Sequence, residues 1–276
     1  MSLDFNKLLK KSPVVLAPMA GVTSSSYRKF MEKYPIAFSY SEMVSDLGLV
    51  YKDQKTLELL NGRIKKPYGI QIFGSKKENL VKAIKIIESL NIKYDFIDLN
   101  CACPVPKVTK NGAGAMLLKD PVALGEIVKA MVLVSKKPIT AKIRLGFYDD
   151  VLNFKEVIKA LVASGVSLIA IHARSAKQLY SGTPRFELLQ NLKEICPVPL
   201  LISGNMFSKE EAKTALELTK ADGILVARGA VGNPDLVKEI FYLIKKHKNV
   251  DVPRTFKKQG KLATKFLKLL IKEKGE

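Results

Sequence analysis

The chain has 276 residues, 47% apolar and 26% charged, enough to bury a full core and of a size that suits one barrel or two smaller domains. Forty-six Lys and Arg against twenty-six Asp and Glu leave a formal net charge of +20, which favours a polyanionic partner, nucleic acid first. No apolar run reaches the roughly 18 residues of a membrane span, and the stretch after Lys10 and Lys11 is broken by Pro13 and Pro18, so no membrane partner and no targeting signal is expected and the chain reads as cytoplasmic.

In chain order, short runs rich in Val and Ile fall at residues 14–20, 38–44, 68–73, 96–101, 139–146, 168–174, 198–204 and 223–228. Longer amphipathic stretches separate them, and helices are expected over 77–90, 121–135, 154–164 and 209–219. This alternation belongs to βα units around a parallel sheet. A doubly wound sheet shares it, but polar residues and glycines gather just past the C-terminal end of each run, where barrel enzymes keep their chemistry. The expected fold is therefore α/β, a (β/α)₈ TIM barrel over residues 1–246.

Residues 247–276 form a short basic extension, with 247–254 as a linker and a helix over 259–274. Leu262, Phe266, Leu269 and Leu270 share one face of that helix, a stripe suited to packing on the barrel. Lys257, Lys258, Lys261, Lys265, Lys268 and Lys272 recur beside it and suit a polyanion.

Three cysteines make an odd number, and Cys101 and Cys103 alternate within one segment, so free thiols are expected rather than disulfides. With His172 and His247 the only histidines, and no CxxC or HExxH pattern, no metal is expected. The most informative segment is DLNCACPVPKVTKNGAGAML, residues 98–117. It leaves a strand on Asn100, passes two cysteines, stops on Pro104 and enters a lysine-bearing, glycine-rich loop. A thiol at a strand end near Lys107 and Lys110 can react as a thiolate or serve as an acid. The plainer alternative for Cys103 is a small buried hydrophobe. Cys101 is expected to face the helix layer, and Cys196 to be structural.

These residues, together with LAPMAGVT (16–23), IQIFG (70–74), NGAGAMLL (111–118), AKIRLGF (141–147), IHARS (171–175) and LVARGAVGNP (225–234), resemble the tRNA-dihydrouridine synthase family, in order and at its spacing. The resemblance implies an FMN-dependent enzyme that uses NADPH, or NADH, to reduce a uridine of tRNA. A hydride would pass from FMN to uracil C6 while Cys103 protonates C5. It implies that Pro18, Met19 and Ala20 line the flavin, that Gln71 bonds its edge beside Asn100, and that Lys142 reaches its pyrimidine side. It places His172, Ser203, Gly204, Asn205, Ala227 and Arg228 around the ring and phosphate. Arg144, Arg174 and Lys107 fall to the substrate side.

Part of this has an independent physical basis. A cation at Lys142 suits the negative charge of a reduced flavin. Glycines and helix N-termini after the last two strands suit a phosphate. Two departures stand out: Ser203, Gly204 and Asn205 occupy a place where many members read NGD, and only some thirty residues stand for the family's C-terminal helical domain. A monomer is expected. The competing readings are an FMN barrel acting on a free pyrimidine, such as a dihydroorotate or dihydropyrimidine dehydrogenase, and a non-catalytic RNA-binding barrel. The positive charge speaks against the first and a flavin site against the second.

Overall fold

In a computed structural model, which describes residues 3–60, 62 and 64–275, every one of the Val- and Ile-rich runs supplies a strand. These are β1 (Val14–Leu16), β2 (Ser39–Ser45), β3 (Tyr68–Phe73), β4 (Phe96–Asn100), β5 (Ile139–Arg144), β6 (Ile169–His172), β7 (Leu200–Ser203) and β8 (Gly223–Val226). Each pairs in parallel with its sequence neighbour, and β8 pairs with β1 to close the barrel. Met1 and Glu276, the outer bounds of the two expected segments, lie outside the described residues. Several strands stop earlier than their apolar runs: β1 ends at Leu16 rather than residue 20, and β8 at Val226 rather than 228. The residues so released leave the ladder at the C-terminal end and are free to line a mouth.

Around the barrel run α1 (Phe5–Lys11), α2 (Ser25–Met31), α3 (Asp46–Val50), α4 (Gln54–Glu58), α5 (Lys77–Ser89), α6 (Pro106–Thr109), α7 (Pro121–Val134), α8 (Phe154–Ala163), α9 (Lys209–Thr219) and α10 (Leu236–Lys245). α9 has the expected bounds because Ser208 and Glu211 form a reciprocal capping box at its start. Between β6 and β7 the described residues hold only short 3₁₀ turns, Phe186–Leu189 and Leu192–Glu194.

Two apolar regions divide the core. One lies between strands and helices and includes Ile97, Leu99, Cys101 and Cys196, so Cys101 faces outward as expected. The other fills the lower barrel with Val15, Phe38, Tyr40, Phe96, Leu201 and Leu225. α1 closes this floor. The Asp4 side chain caps it by accepting from Lys7 N at 2.9 Å, and Phe5 and Leu9 point into the barrel end. The Phe5 ring meets Phe38 and Phe96 edge-on, with centroids 5.4 and 5.2 Å away.

The C-terminal helix α11 (Phe256–Lys274) starts three residues before the expected 259, because the Thr255 side chain caps it by accepting from Lys258 N. Leu262, Phe266 and Leu269 pack against the core, and the Phe266 ring lies 5.7 Å from both Tyr27 and Phe30 of α2. Ser26 donates to Leu269 O at 2.9 Å and also bonds Glu273, tying the two helices. Lys258 meets the buried Asp235 at 2.7 Å, so it is an ion-pair partner rather than a member of the free basic face.

Candidate active site

Above the aromatic floor the barrel interior turns polar. Parallel register sets Gln71 of β3 beside Asp98 of β4, Asp98 beside Thr140 of β5, and Asn100 beside Lys142 one step higher. These side chains form a continuous hydrogen-bonded row. Thr140 Oγ1 donates to Asp98 Oδ1 at 2.5 Å, Gln71 Nε2 to Asp98 Oδ2 at 2.7 Å, and Asn100 Nδ2 to Gln71 Oε1 at 2.8 Å. Asn100 Oδ1 in turn accepts from Ala102 N at 3.0 Å and Cys103 N at 2.9 Å.

The peptide that carries Cys103 is thus held by its own strand. Two further contacts secure it: Ala115 N donates to Cys103 O at 3.0 Å, and Arg144 Nε donates to Ala102 O at 2.8 Å. The first of these explains Gly114, which has φ +62° and where a Cβ would sit 2.6 Å from Cys103 O. The Cys103 side chain is half-buried and opens on a cavity at the C-terminal mouth.

That cavity has a volume of about 690 Å³. It is lined by every residue expected on the cofactor side: Pro18, Met19, Ala20, Gln71, Asn100, Lys142, His172, Ser203, Gly204, Asn205, Ala227 and Arg228, together with Cys103. Arg144 also reaches it, with Nε donating to Ala102 O at 2.8 Å and Nη1 to Ser175 O at 2.7 Å and Leu179 O at 2.9 Å. Arg174 and Lys107 do not line the cavity. Arg174 is 1% exposed and donates to Ser181 O, Gly182 O and Asn205 Oδ1, which ties the loop after β6 to the mouth of β7. Lys107 stands exposed on α6.

Tyr180 and Phe207 line the cavity without having been singled out in the sequence. The Arg228 guanidinium stacks 4.5 Å from the Tyr180 ring centre and 5.6 Å from that of Phe207. A readable signal existed for Phe207, a bulky aromatic among turn-forming residues just past β7 in SGNMF, while Tyr180 lies well beyond the end of β6 at His172 and is marked only by the following Ser-Gly in QLYSG.

The electrostatics are strongly positive. Burial, then the neighbouring Arg144, lower Lys142 to about 8, while Asp98 and Cys103 pull it the other way. Burial and the cations Lys142, Arg144, Arg174 and Arg228 push His172 well below its ordinary value, so its imidazole is neutral at pH 7. An anion at this mouth meets guanidinium, ammonium and neutral imidazole groups together.

A flavin mononucleotide fits these residues. Backbone comes close at Gly204, with φ +134°, and at Gly229, where a Cβ would sit 1.9 Å from Met206 O. Arg228 lies beside them, and Gln71 and Lys142 present a polar edge on the opposite side of the mouth. Between them Pro18, Met19 and Ala20 supply a flat apolar margin for a ring.

A family model described as dihydrouridine synthase matches residues 15–276. A probable tRNA-dihydrouridine synthase of Aquifex aeolicus is 37% identical over 83% of this chain and 73% of its own length. A probable tRNA-dihydrouridine synthase of Treponema pallidum is 33% identical over 99% of this chain and 83% of its own. Among solved structures, histamine dehydrogenase from Rhizobium sp. 4-9 shares the barrel with a TM-score of 0.62 at 14% identity, covering 83% of this chain and 45% of that longer one. The motifs, the barrel that brings them to one mouth and the match along nearly the whole chain agree: this chain belongs to the dihydrouridine synthase family.

Proposed function

We propose that this chain is a cytoplasmic, FMN-dependent tRNA-dihydrouridine synthase that reduces the 5,6-double bond of particular uridines, with NADPH as reductant and Cys103 as the proton donor. The observation that carries this reading is the Cys103 side chain opening on the same cavity as Gln71, Lys142, Gly204 and Arg228. FMN held by these residues would supply the hydride that adds to uracil C6. Cys103 would deliver its proton to C5, where negative charge develops as C6 is attacked. Lys142 would place a positive charge toward the anionic part of a reduced flavin, and neutral His172, whose Nε2 accepts from Arg174 Nη1 at 3.3 Å, has its Nδ1–H left to donate without adding to the charge. Asn100, Arg144 and Ala115 keep the thiol in place by gripping its backbone on both sides.

A stacked uridine cannot reach a barrel mouth, so the target is an extruded or already unpaired loop nucleotide. A cavity of about 690 Å³ is in the range that holds a mononucleotide-sized group. The net charge of +20 favours a tRNA over a free pyrimidine. Heat release of the bound flavin followed by chromatography should yield FMN, and FAD or no flavin would defeat the assignment. Mapping dihydrouridine in tRNA from cells lacking the protein should show loss at defined positions; unchanged tRNA would remove the substrate.

A further inference from the structure

Asp98 is fully buried at the centre of the barrel, between the aromatic floor and the polar mouth, and it does not line the cavity. Nothing in the proposed chemistry uses it directly. A buried carboxylate is costly unless its oxygens are satisfied, and here they accept from Thr140 and Gln71. Burial raises the carboxyl to about 6, with Thr140, Gln71 and Lys142 pulling it down, and the donors aimed at both of its oxygens suit the ionised form.

The row that begins at Asp98 has a direction. Backbone N–H groups only donate, so the two amides at Ala102 and Cys103 force the Asn100 oxygen toward them. The Asn100 NH₂ must then face Gln71, whose oxygen turns to meet it, and the Gln71 NH₂ is left pointing at Asp98. The far end therefore requires an acceptor, and a carboxylate can be nothing else. Reversing either amide would set oxygen against oxygen or N–H against N–H at a buried position. Gln71 and Asn100 both line the cavity, so the orientation chosen deep in the barrel sets which of their atoms the cavity sees.

We propose that Asp98 is a positioning residue: acting through Gln71 and Asn100, it fixes the orientation of both amides, and with them the polar edge offered to the flavin and the peptide that carries Cys103. The proposal rests on the reading of the cavity as a flavin site with Cys103 as the acid.

The test is a polarity-reversal cycle read by FMN affinity, by the rate of flavin reoxidation at saturating tRNA, and by melting temperature. Asp98→Leu should weaken FMN binding and slow reoxidation, each by about tenfold or more, the usual consequence of a buried amide left unpaired. Asp98→Asn should lose much less, because its oxygen can accept from Gln71 while its NH₂ donates to the Thr140 hydroxyl. Asn100→Asp traps Gln71 between two carboxylates and should weaken FMN. Adding Asp98→Asn to it should restore the melting temperature that Asn100→Asp lowers, since the row is again fully paired, but not FMN affinity, since the row then runs in reverse and turns the other edge of Gln71 to the cavity. The carboxylate introduced on β4 accepts from the Ala102 and Cys103 amides and from the Gln71 NH₂, and the Gln71 oxygen accepts from the amide that replaces the Asp98 carboxylate.

A purely structural role predicts that FMN affinity recovers together with the melting temperature in the double variant. If Asp98→Asn is as damaging as Asp98→Leu, if the double variant melts no higher than Asn100→Asp alone, or if it binds FMN like the wild type, the proposal is wrong. Should Asp98→Leu not fold, the comparison of Asn100→Asp with the double variant still decides. Cys103→Ala separates the underlying reading from this one: unimpaired reoxidation in that variant defeats the acid, while the FMN-affinity cycle reports on the relay alone.

Discussion

At the floor of the barrel Phe5, Phe38, Tyr40 and Phe96 pack edge to face, while two residues further along β4 Asp98 begins a row of directed hydrogen bonds that ends at the Cys103 peptide. The same strands build both ends. Floor side chains are held by transfer out of water and by shape, forces without direction that tolerate a swap of similar volume. Mouth side chains are held by donor and acceptor matching in a low-dielectric setting, where one wrong atom leaves its neighbour unpaired. The barrel thus keeps its stability below and its chemistry above, as barrel enzymes do generally.

The sharpest way to break this division is at the two alternating cysteines. Cys103→Ala should slow reoxidation of reduced flavin by tRNA by about 10²- to 10⁴-fold, the usual worth of a positioned acid, with reduction by NADPH intact. Cys101 is buried in the helix layer, so Cys101→Ala should lower the melting temperature and leave the reoxidation rate near that of the wild type. Equal losses in the two variants, measured by stopped flow, would misplace the acid.

Next in size is the floor itself. Phe96→Ala empties an aromatic cluster and should destabilise the fold by about 3–5 kcal/mol in chemical denaturation, while FMN affinity of the folded protein stays within a few-fold of wild type. An unchanged melting temperature with lost FMN binding would show that the floor serves the site rather than the fold.

A smaller effect should appear in pH. Lys142 is lowered to about 8 without a ligand, so it is charged below that pH and neutral above it. An anionic ligand favours the charged form and raises the value in the complex, so FMN affinity should be flat below about 8 and fall as pH rises above it. The fall should end where pH reaches the raised value. Lys142→Met should bind weakly and lack this decline; a decline that survives the substitution would assign the titration elsewhere.

The smallest effect expected is on α11, where the apolar stripe and the basic face can be tested apart. Phe266 is half-buried between Tyr27 and Phe30, so Phe266→Ala should cost about 1–2 kcal/mol of stability, less than a core aromatic. Charge reversal at Lys257, Lys261, Lys265, Lys268 and Lys272 should weaken tRNA binding and flatten its salt dependence by about 0.9 in log–log slope per lost phosphate contact. Lys258 is left out because it already pairs with Asp235. Identical slopes in filter-binding titrations would remove this helix from the tRNA surface.

The eight-fold alternation, the bounds of α9 and most of the cavity lining, though not Tyr180 and Phe207, were legible in the sequence, because each depends on local pattern: period, a cap, a motif at a strand end. α1 was not, since seven residues with two apolar anchors carry too little periodicity, and only the open end of a closed barrel gives Phe5 and Leu9 somewhere to go. The sequence offers Arg144 to the substrate side by its place beside Lys142 on one strand, and Arg174 by the family resemblance of its segment. The loop carbonyls that meet their guanidinium groups come from the tertiary structure and leave no local signal in the sequence. Asp98 shows the limit most clearly. Its motif places it next to the reactive segment, but its partners lie on β3 and β5, and inter-strand register, a property of the closed sheet, decides that Gln71, Asp98 and Thr140 stand side by side. Hydrogen bonds across strands require positions that the chain acquires only when the barrel closes.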